Sequence, residues 1–171
     1  SVIVVGASMG GYDAITAFLD GLRNQPGPRP PIVISWHLSE EAPGQGVDQI
    51  RVQYGEQLRI IGPAEIDVAG SITVPLKPGI ILLVHGSTVA LMRRDQDDRA
   101  VMQMMALTGK WNPIDRLFTS ASEILGSGVT ACALSGAGDD GTAGASVPGG
   151  AGGHAGARGG EPAPPAGTAA G

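Results

Sequence analysis

Gly6-Ala7-Ser8-Met9-Gly10-Gly11 joins an apolar run, Val2-Ile3-Val4-Val5, to a segment whose apolar residues fall at Ala14, Ile15, Phe18, Leu19 and Leu22. The first run has the character of a buried strand over Val2–Val5 and the second the spacing of an amphipathic helix over about Gly11–Leu22. A strand that passes through a glycine-rich turn into a helix opens a parallel α/β unit. Glycines around a serine remove Cβ clashes, so a sharp turn can lift the hydroxyl clear of the backbone. The unpaired N–H groups of the first helical turn then point at whatever oxygen the serine attacks. The competing reading is a dinucleotide loop, with a pyrophosphate on the helix N-terminus and the serine a bystander. The G-x-G-x-x-G spacing of such loops is absent, and the next apolar run, Pro31-Ile32-Val33-Ile34-Ser35-Trp36, closes on His37 instead of an acid.

In an open parallel sheet the carboxyl ends of neighbouring strands face one crevice, so Ser8 and His37 share an edge if their strands are adjacent. Histidine's ordinary titration range suits a proton shuttle, and a nearby serine gives it a proton to take. A third polar stretch, Leu134-Ser135-Gly136-Ala137-Gly138-Asp139-Asp140-Gly141, follows the apolar strand Val129–Leu134. It supplies a carboxylate at another strand end. Asp-Asp-Gly is also turn chemistry, with either aspartate able to cap a following helix.

The rest of the chain alternates in the same way. A helix broken by Pro43, Gly44 and Gly46 is expected within residues 39–54, then a strand over Leu58–Ile61. Three β-rich runs, Ile72–Pro75, Gly79–Val84 and Thr88–Met92, are parted by turn residues and read as an antiparallel meander. The run Arg93 to Arg99 alternates in sign and reads as a solvated loop, while Met102, Met104 and Met105 read as core filling or a soft contact surface. His85 falls at a turn and is assigned no chemistry. Asn112-Pro113 opens a helix, as cap and first-turn proline, with Ile114, Leu117, Phe118, Ala121, Ile124 and Leu125 on its apolar face. The fold class expected is α/β: three layers, a mostly parallel, doubly wound, Rossmann-like sheet, and an antiparallel β-meander.

At 171 residues, 42% hydrophobic and with a net charge of −5, the chain can build one buried core and offers no basic surface for nucleic acid or an anionic membrane. Its one cysteine, Cys132, lies inside an apolar strand, so no disulfide framework exists within the chain and a reducing compartment is expected. No signal-peptide pattern or bilayer-length apolar run occurs, and the cytoplasm is the expected location. From about Val147 the character changes. Residues 141–171 hold eleven Gly, nine Ala and four Pro and no Leu, Ile, Phe, Trp or Tyr. Such a tail lacks the apolar surface to offset ordering entropy, so residues 147–171 are expected to be disordered.

Together the three polar stretches resemble the catalytic domain of the chemotaxis protein-glutamate methylesterase (CheB) family. Gly6 to Gly11 match its G-A-S-x-G-G motif, Trp36-His37-Leu38 its histidine context, and Leu134 to Gly141 its L-T-G-M-G-x-D-G loop. An N-P-x-x-D-x-L-F-like segment recurs at Asn112 to Phe118. Met9 stands where the family has threonine, Trp36 where it has glutamine and Ala137 where it has methionine. The likeness runs from residue 1 to about Gly144, which sets residues 1–146 as a C-terminally incomplete catalytic domain.

The resemblance implies a serine hydrolase acting on glutamyl methyl esters of chemoreceptors, with receptor glutamine deamidation as a second reaction. It puts the triad on Ser8, His37 and Asp140, the oxyanion donors at Met9 and Gly10, and requires no metal or organic cofactor. Implied partners are methyl-accepting receptors and the phosphoacceptor receiver domain that family members carry N-terminally. The 171 residues contain no such domain. A non-catalytic signalling module of the same fold and, further off, a nucleotide-binding domain remain the alternatives.

Overall fold

A computed structural model describes residues 1–8, 11–37 and 45–134. Met9, Gly10, residues 38–44 and everything from residue 135 lie outside the described residues, and with them Asp140, the Asp139 neighbour, Ala137 and the 147–171 tail.

The described residues form a five-stranded parallel sheet and a separate three-stranded antiparallel sheet. In chain order the elements are β1 (Val2–Ala7), α1 (Gly11–Arg23), β2 (Ile32–Trp36), α2 (Gln45–Tyr54), β3 (Leu58–Ile61), α3 (Pro63–Ala69), β4 (Ser71–Pro75), β5 (Ile81–His85), β6 (Thr88–Arg94), β7 (Ala100–Ala106), α4 (Pro113–Leu125) and β8 (Val129–Leu134). The parallel sheet runs β3-β5-β2-β1-β8, so the strand carrying the serine turn is flanked by β2 on one side and β8 on the other.

Period-two alternation divides each central strand between two cores. Val2 and Val4 of β1, Val33 of β2, and Leu82 and Val84 of β5 pack with Ile114, Leu117, Phe118 and Ala121 of α4. Val5 and Ala7, Ile32, Ile34 and Trp36, with Ile81 and Leu83, pack with Ile15 and Leu19 of α1 and with Val47, Ile50 and Tyr54 of α2. The antiparallel sheet joins the α4 side through Val74, Ala90, Met92, Met102 and Met104. Three layers result, as the sequence predicts, with helices on both faces of a parallel sheet.

The meander requires correction. Its middle run, as β5, belongs to the parallel sheet between β3 and β2, while β4 and β6 pair not with it but with β7. Ile81 to Val84 are all buried, the signature of a strand covered on both faces, whereas β4, β6 and β7 each keep half-buried or exposed positions. The sheet is therefore not one mixed sheet but two. Arg93 and Arg94 finish β6, and Asp95 to Arg99 form the hairpin turn to β7, where Asp95 Oδ1 accepts from the N–H groups of Asp97 and Arg99, both at 2.9 Å. Met102 and Met104 are core, and only Met105 of the three is partly exposed. Cys132 is likewise a packing residue, with burial raising its thiol pKa.

α4 behaves as the sequence signals. Asn112 Oδ1 accepts from the backbone of Ile114 at 2.9 Å and of Asp115 at 3.2 Å, with Pro113 at the first position, where no N–H is needed. α4 crosses β1 at Gly6. A Cβ there would fall inside contact distance of Ile114 Cγ2 and 3.3 Å from both Ile114 Cδ1 and Phe118 Cζ. Glycine at this position lets the helix approach the strand that carries the serine turn.

Candidate active site

Ser8 follows directly on β1, and its carbonyl accepts from Gly11 N–H at 3.0 Å, closing the turn that starts α1. Its side chain is buried, at 5% exposure. His37 follows directly on β2 and is exposed. The two strands are parallel neighbours with Ala7 opposite Trp36, and His37 N–H donates to the Ala7 carbonyl at 2.8 Å. Extending that register by one residue sets Ser8 beside His37, with backbones about 5 Å apart as in any sheet. Both continue the parity of Gly6 and Ser35, on the α4 side of the sheet.

On the other flank β8 pairs with β1 so that Leu134 lies opposite Ala7. Leu134, the last described residue before the stretch that carries Asp140, therefore ends level with the residue preceding Ser8. The parallel arrangement thus delivers the ends of β2, β1 and β8 side by side at one edge, the place where open α/β sheets hold their ligands. Asp140, Met9 and Gly10 themselves lie outside the described residues.

The indole of Trp36 is packed under this edge. It is 4% exposed, and its Nε1–H has no hydrogen-bond partner among the described residues. A Cβ on Gly11 would sit 2.9 Å from Nε1, and one on Gly46 would sit 2.7 Å from Cη2. The ring is wedged between the first turns of α1 and α2, which the glycines make possible. The chain thus has here a bulky wedge that ties the starts of both helices to the end of β2.

His85 also ends a strand at this edge, in the row of Ala7 and Trp36. Its ring lies against the Cα of Gly62, leaving no room there for a Cβ. Burial lowers its pKa, opposed by the Glu65 carboxylate and assisted by Arg51. Glu65 Oε2 in turn accepts from Gly62 N–H at 2.9 Å, which lowers its own pKa. Sequence reading placed His85 in a turn; the continuous apolar run Ile81 to Val84 is the signal that it is a strand end. Trp111 and Arg116 at the start of α4 also escaped sequence reading, because helical periodicity counts that segment as scaffold. Among the described residues no group of three or more His, Cys, Asp or Glu could hold a metal ion, and no helix is long and apolar enough to cross a membrane.

A buried serine that ends one parallel strand and leads into a helix, with a histidine at the end of the neighbouring strand, defines an α/β protein whose polar side chains gather at the carboxyl edge of a parallel sheet. Comparison with known proteins gives the family. Residues 3–162 match the CheB methylesterase family model. The chain belongs to the CheB methylesterase family. It is 33% identical over 148 residues to protein-glutamate methylesterase/protein-glutamine glutaminase 3 of Geobacter metallireducens, covering 84% of this chain and 38% of that protein. The corresponding protein 1 of Myxococcus xanthus is 29% identical over 147 residues, covering 84% of this chain and 39% of the relative. The crystal structure of the Thermotoga maritima CheB methylesterase catalytic domain superposes with a TM-score of 0.60 at 25% identity, covering 84% of this chain and 71% of that one. The chain therefore spans about two-fifths of the length of these curated relatives.

Proposed function

We propose that this chain hydrolyses glutamyl γ-methyl esters on chemoreceptor proteins and releases methanol. The observation that carries the proposal is the adjacency of Ser8 and His37 at the ends of parallel neighbours β1 and β2. Family membership and the names of the relatives support the substrate class.

In this mechanism Ser8 Oγ attacks the ester carbonyl carbon while the His37 imidazole takes the hydroxyl proton. The tetrahedral oxyanion accepts hydrogen bonds from backbone N–H groups at Met9 and Gly10, which precede α1 in the chain. Collapse breaks the C–O bond, and the imidazolium returns its proton to the departing methoxide as methanol. Water then attacks the acyl-serine, His37 takes a water proton and returns it to Ser8 Oγ, and the glutamate carboxyl is free. Asp140, which follows β8 in the chain, orients the imidazole and stabilises its cation. Replacing the ester by a glutamine amide makes ammonia the leaving group of the same sequence. The work is done in the cytoplasm, on the cytoplasmic part of a receptor, with a phosphoacceptor receiver domain as a further partner, and no step calls on a metal or organic cofactor. The catalytic unit is placed in residues 1–146, inside the stretch 3–162 that matches the family model but for its first two residues.

The test is methanol release from a methylated receptor fragment. Native chain is expected to liberate methanol and free carboxylate in equal amounts, and Ser8→Ala neither. Absence of release from folded native chain would overturn the esterase reading.

A further inference from the structure

Trp111 is 56% exposed, one of three large apolar side chains in that state among the described residues. It is also the one held in a defined setting. The Arg116 guanidinium carbon lies 3.5 Å from its ring centroid. On its other edge, a Cβ on Gly109, which has φ of +78°, would be 3.4 Å from Trp111 Cδ1 and Nε1, so the turn at Gly109 comes up against the indole. Among the described residues Arg116 makes no ion pair, and Lys110, which precedes Trp111 in the chain, is exposed. Asp115 is the acid in the first turn of α4, so Lys110 and Arg116 leave the spot net cationic in a chain of net charge −5.

The place of this plate in the fold gives it a purpose. The far end of α4 leads through Gly126–Gly128 to the start of β8, where Gly128 approaches Ser1. Thirteen helical residues span about 20 Å, the length of β1 as well. The Asn112 end of α4 therefore stands at the opposite edge, where Ile114 covers Gly6 two residues before Ser8. An exposed aromatic ring with a guanidinium stacked on it thus flanks the serine edge.

We infer that Trp111 and Arg116, with Lys110, are the docking plate for the acidic polypeptide segment that flanks the reactive glutamate in the substrate protein. This rests on the esterase reading, since each turnover turns a glutamyl ester of the substrate protein into a carboxylate and leaves the segment around it acidic. Arg116 and Lys110 meet those carboxylates, and the indole face takes the methylene stems. An aromatic–arginine pair of this kind is the usual energetic centre of a protein contact.

The experiment compares a soluble glutamate-rich peptide bearing a γ-methyl ester with N-acetylglutamate γ-methyl ester as substrates of native, Trp111→Ala and Arg116→Gln chains. The ratio of kcat/KM for peptide over small ester is expected to fall about tenfold in each variant, through KM, the loss typical of a removed anchor. It should also lose part of its salt dependence in Arg116→Gln. An unchanged ratio in both variants overturns the docking plate while leaving the esterase intact. Failure of the esterase reading is read apart from it by titrating Ser8→Ala with the unesterified glutamate-rich peptide and following tryptophan emission. The chain has two tryptophans, and the other, Trp36, is buried. A shift in emission that is absent in Trp111→Phe supports docking even without turnover, and no shift refutes it.

Discussion

Gly6→Ala is the sharpest test of how the helix α4 holds the serine strand. The added methyl falls inside contact distance of Ile114 Cγ2, a branch on Cβ that cannot rotate away without moving the side chain off its rotamer. Ile114 Cδ1 and Phe118 Cζ, each 3.3 Å from the new carbon, close the other exits. Ile114 is 2% exposed and Phe118 2%, so neither can relax into solvent. Overpacking of this kind costs about 1–3 kcal/mol, and the upper half of that range fits a clash with a β-branch. With a urea slope of roughly 2 kcal/mol/M, the unfolding midpoint should fall by about 1 M. Ile114→Leu removes Cγ2 and keeps the volume, a change costing under about 1.5 kcal/mol alone. The double variant Gly6→Ala/Ile114→Leu should then be more stable than the sum of the single losses by about 1 kcal/mol, a coupling expected of residues in contact. Urea unfolding followed by far-UV circular dichroism reads all four proteins. Additive losses, or a Gly6→Ala midpoint equal to native, would refute the contact that sets α4 on β1.

Gly11→Ala drives a methyl to 2.9 Å from Trp36 Nε1 and should destabilise by about 1–3 kcal/mol, with Trp36→Phe in the same chain recovering part of the loss in thermal unfolding. Tyr54 donates to Asp20 Oδ1 at 2.8 Å, and burial first, then that hydrogen bond, pushes its pKa up to about 12. Favouring the neutral phenol in the fold gives stability that is fully present below the ordinary value of 10.0 and is lost as pH rises towards 12; absorbance titration should show this late ionisation, and Tyr54→Phe should remove it at a cost of about 1 kcal/mol. His85 has the opposite sense: burial lowers its pKa, so the unfolded chain binds the proton more readily and stability falls as pH drops below 6.5. His85→Gln should flatten that decline between pH 7 and the range where Glu65, itself lowered from 4.5, begins to protonate, as read by urea midpoints.

The placement of Ser8 and His37 at neighbouring strand ends was legible because the strands that bear them are buried on both faces. Val2 to Ala7 and Ile32 to Trp36 are continuous apolar runs ending in Ser8 and His37, and such runs have few other places to go in an α/β fold. α4 announced itself through Asn112-Pro113 and its apolar stripe. What escaped was set by distant partners. β7, with three methionines and one glutamine in seven residues, takes its strand character from β4 and β6 on either side, and β4 finds it some thirty residues along the chain. β5 looked like a hairpin arm because Lys77-Pro78-Gly79 and His85-Gly86-Ser87 flank it, yet its burial on both faces draws it into the parallel sheet. α3 was hidden by its length, seven residues opened by Gly62-Pro63 and fastened by Glu65. Trp111 carries no periodic signal at all; only the exposed stack on Arg116 reveals it.

Ser8 as a nucleophile activated by His37 is the claim on which the functional reading turns, and covalent trapping tests it without reference to any receptor. Native chain treated with a fluorophosphonate should gain one adduct, mapped by mass spectrometry to the peptide carrying Ser8, and His37→Ala should label far more slowly at the same pH. No adduct on Ser8, or equal labelling rates in native chain and His37→Ala, would contradict the account.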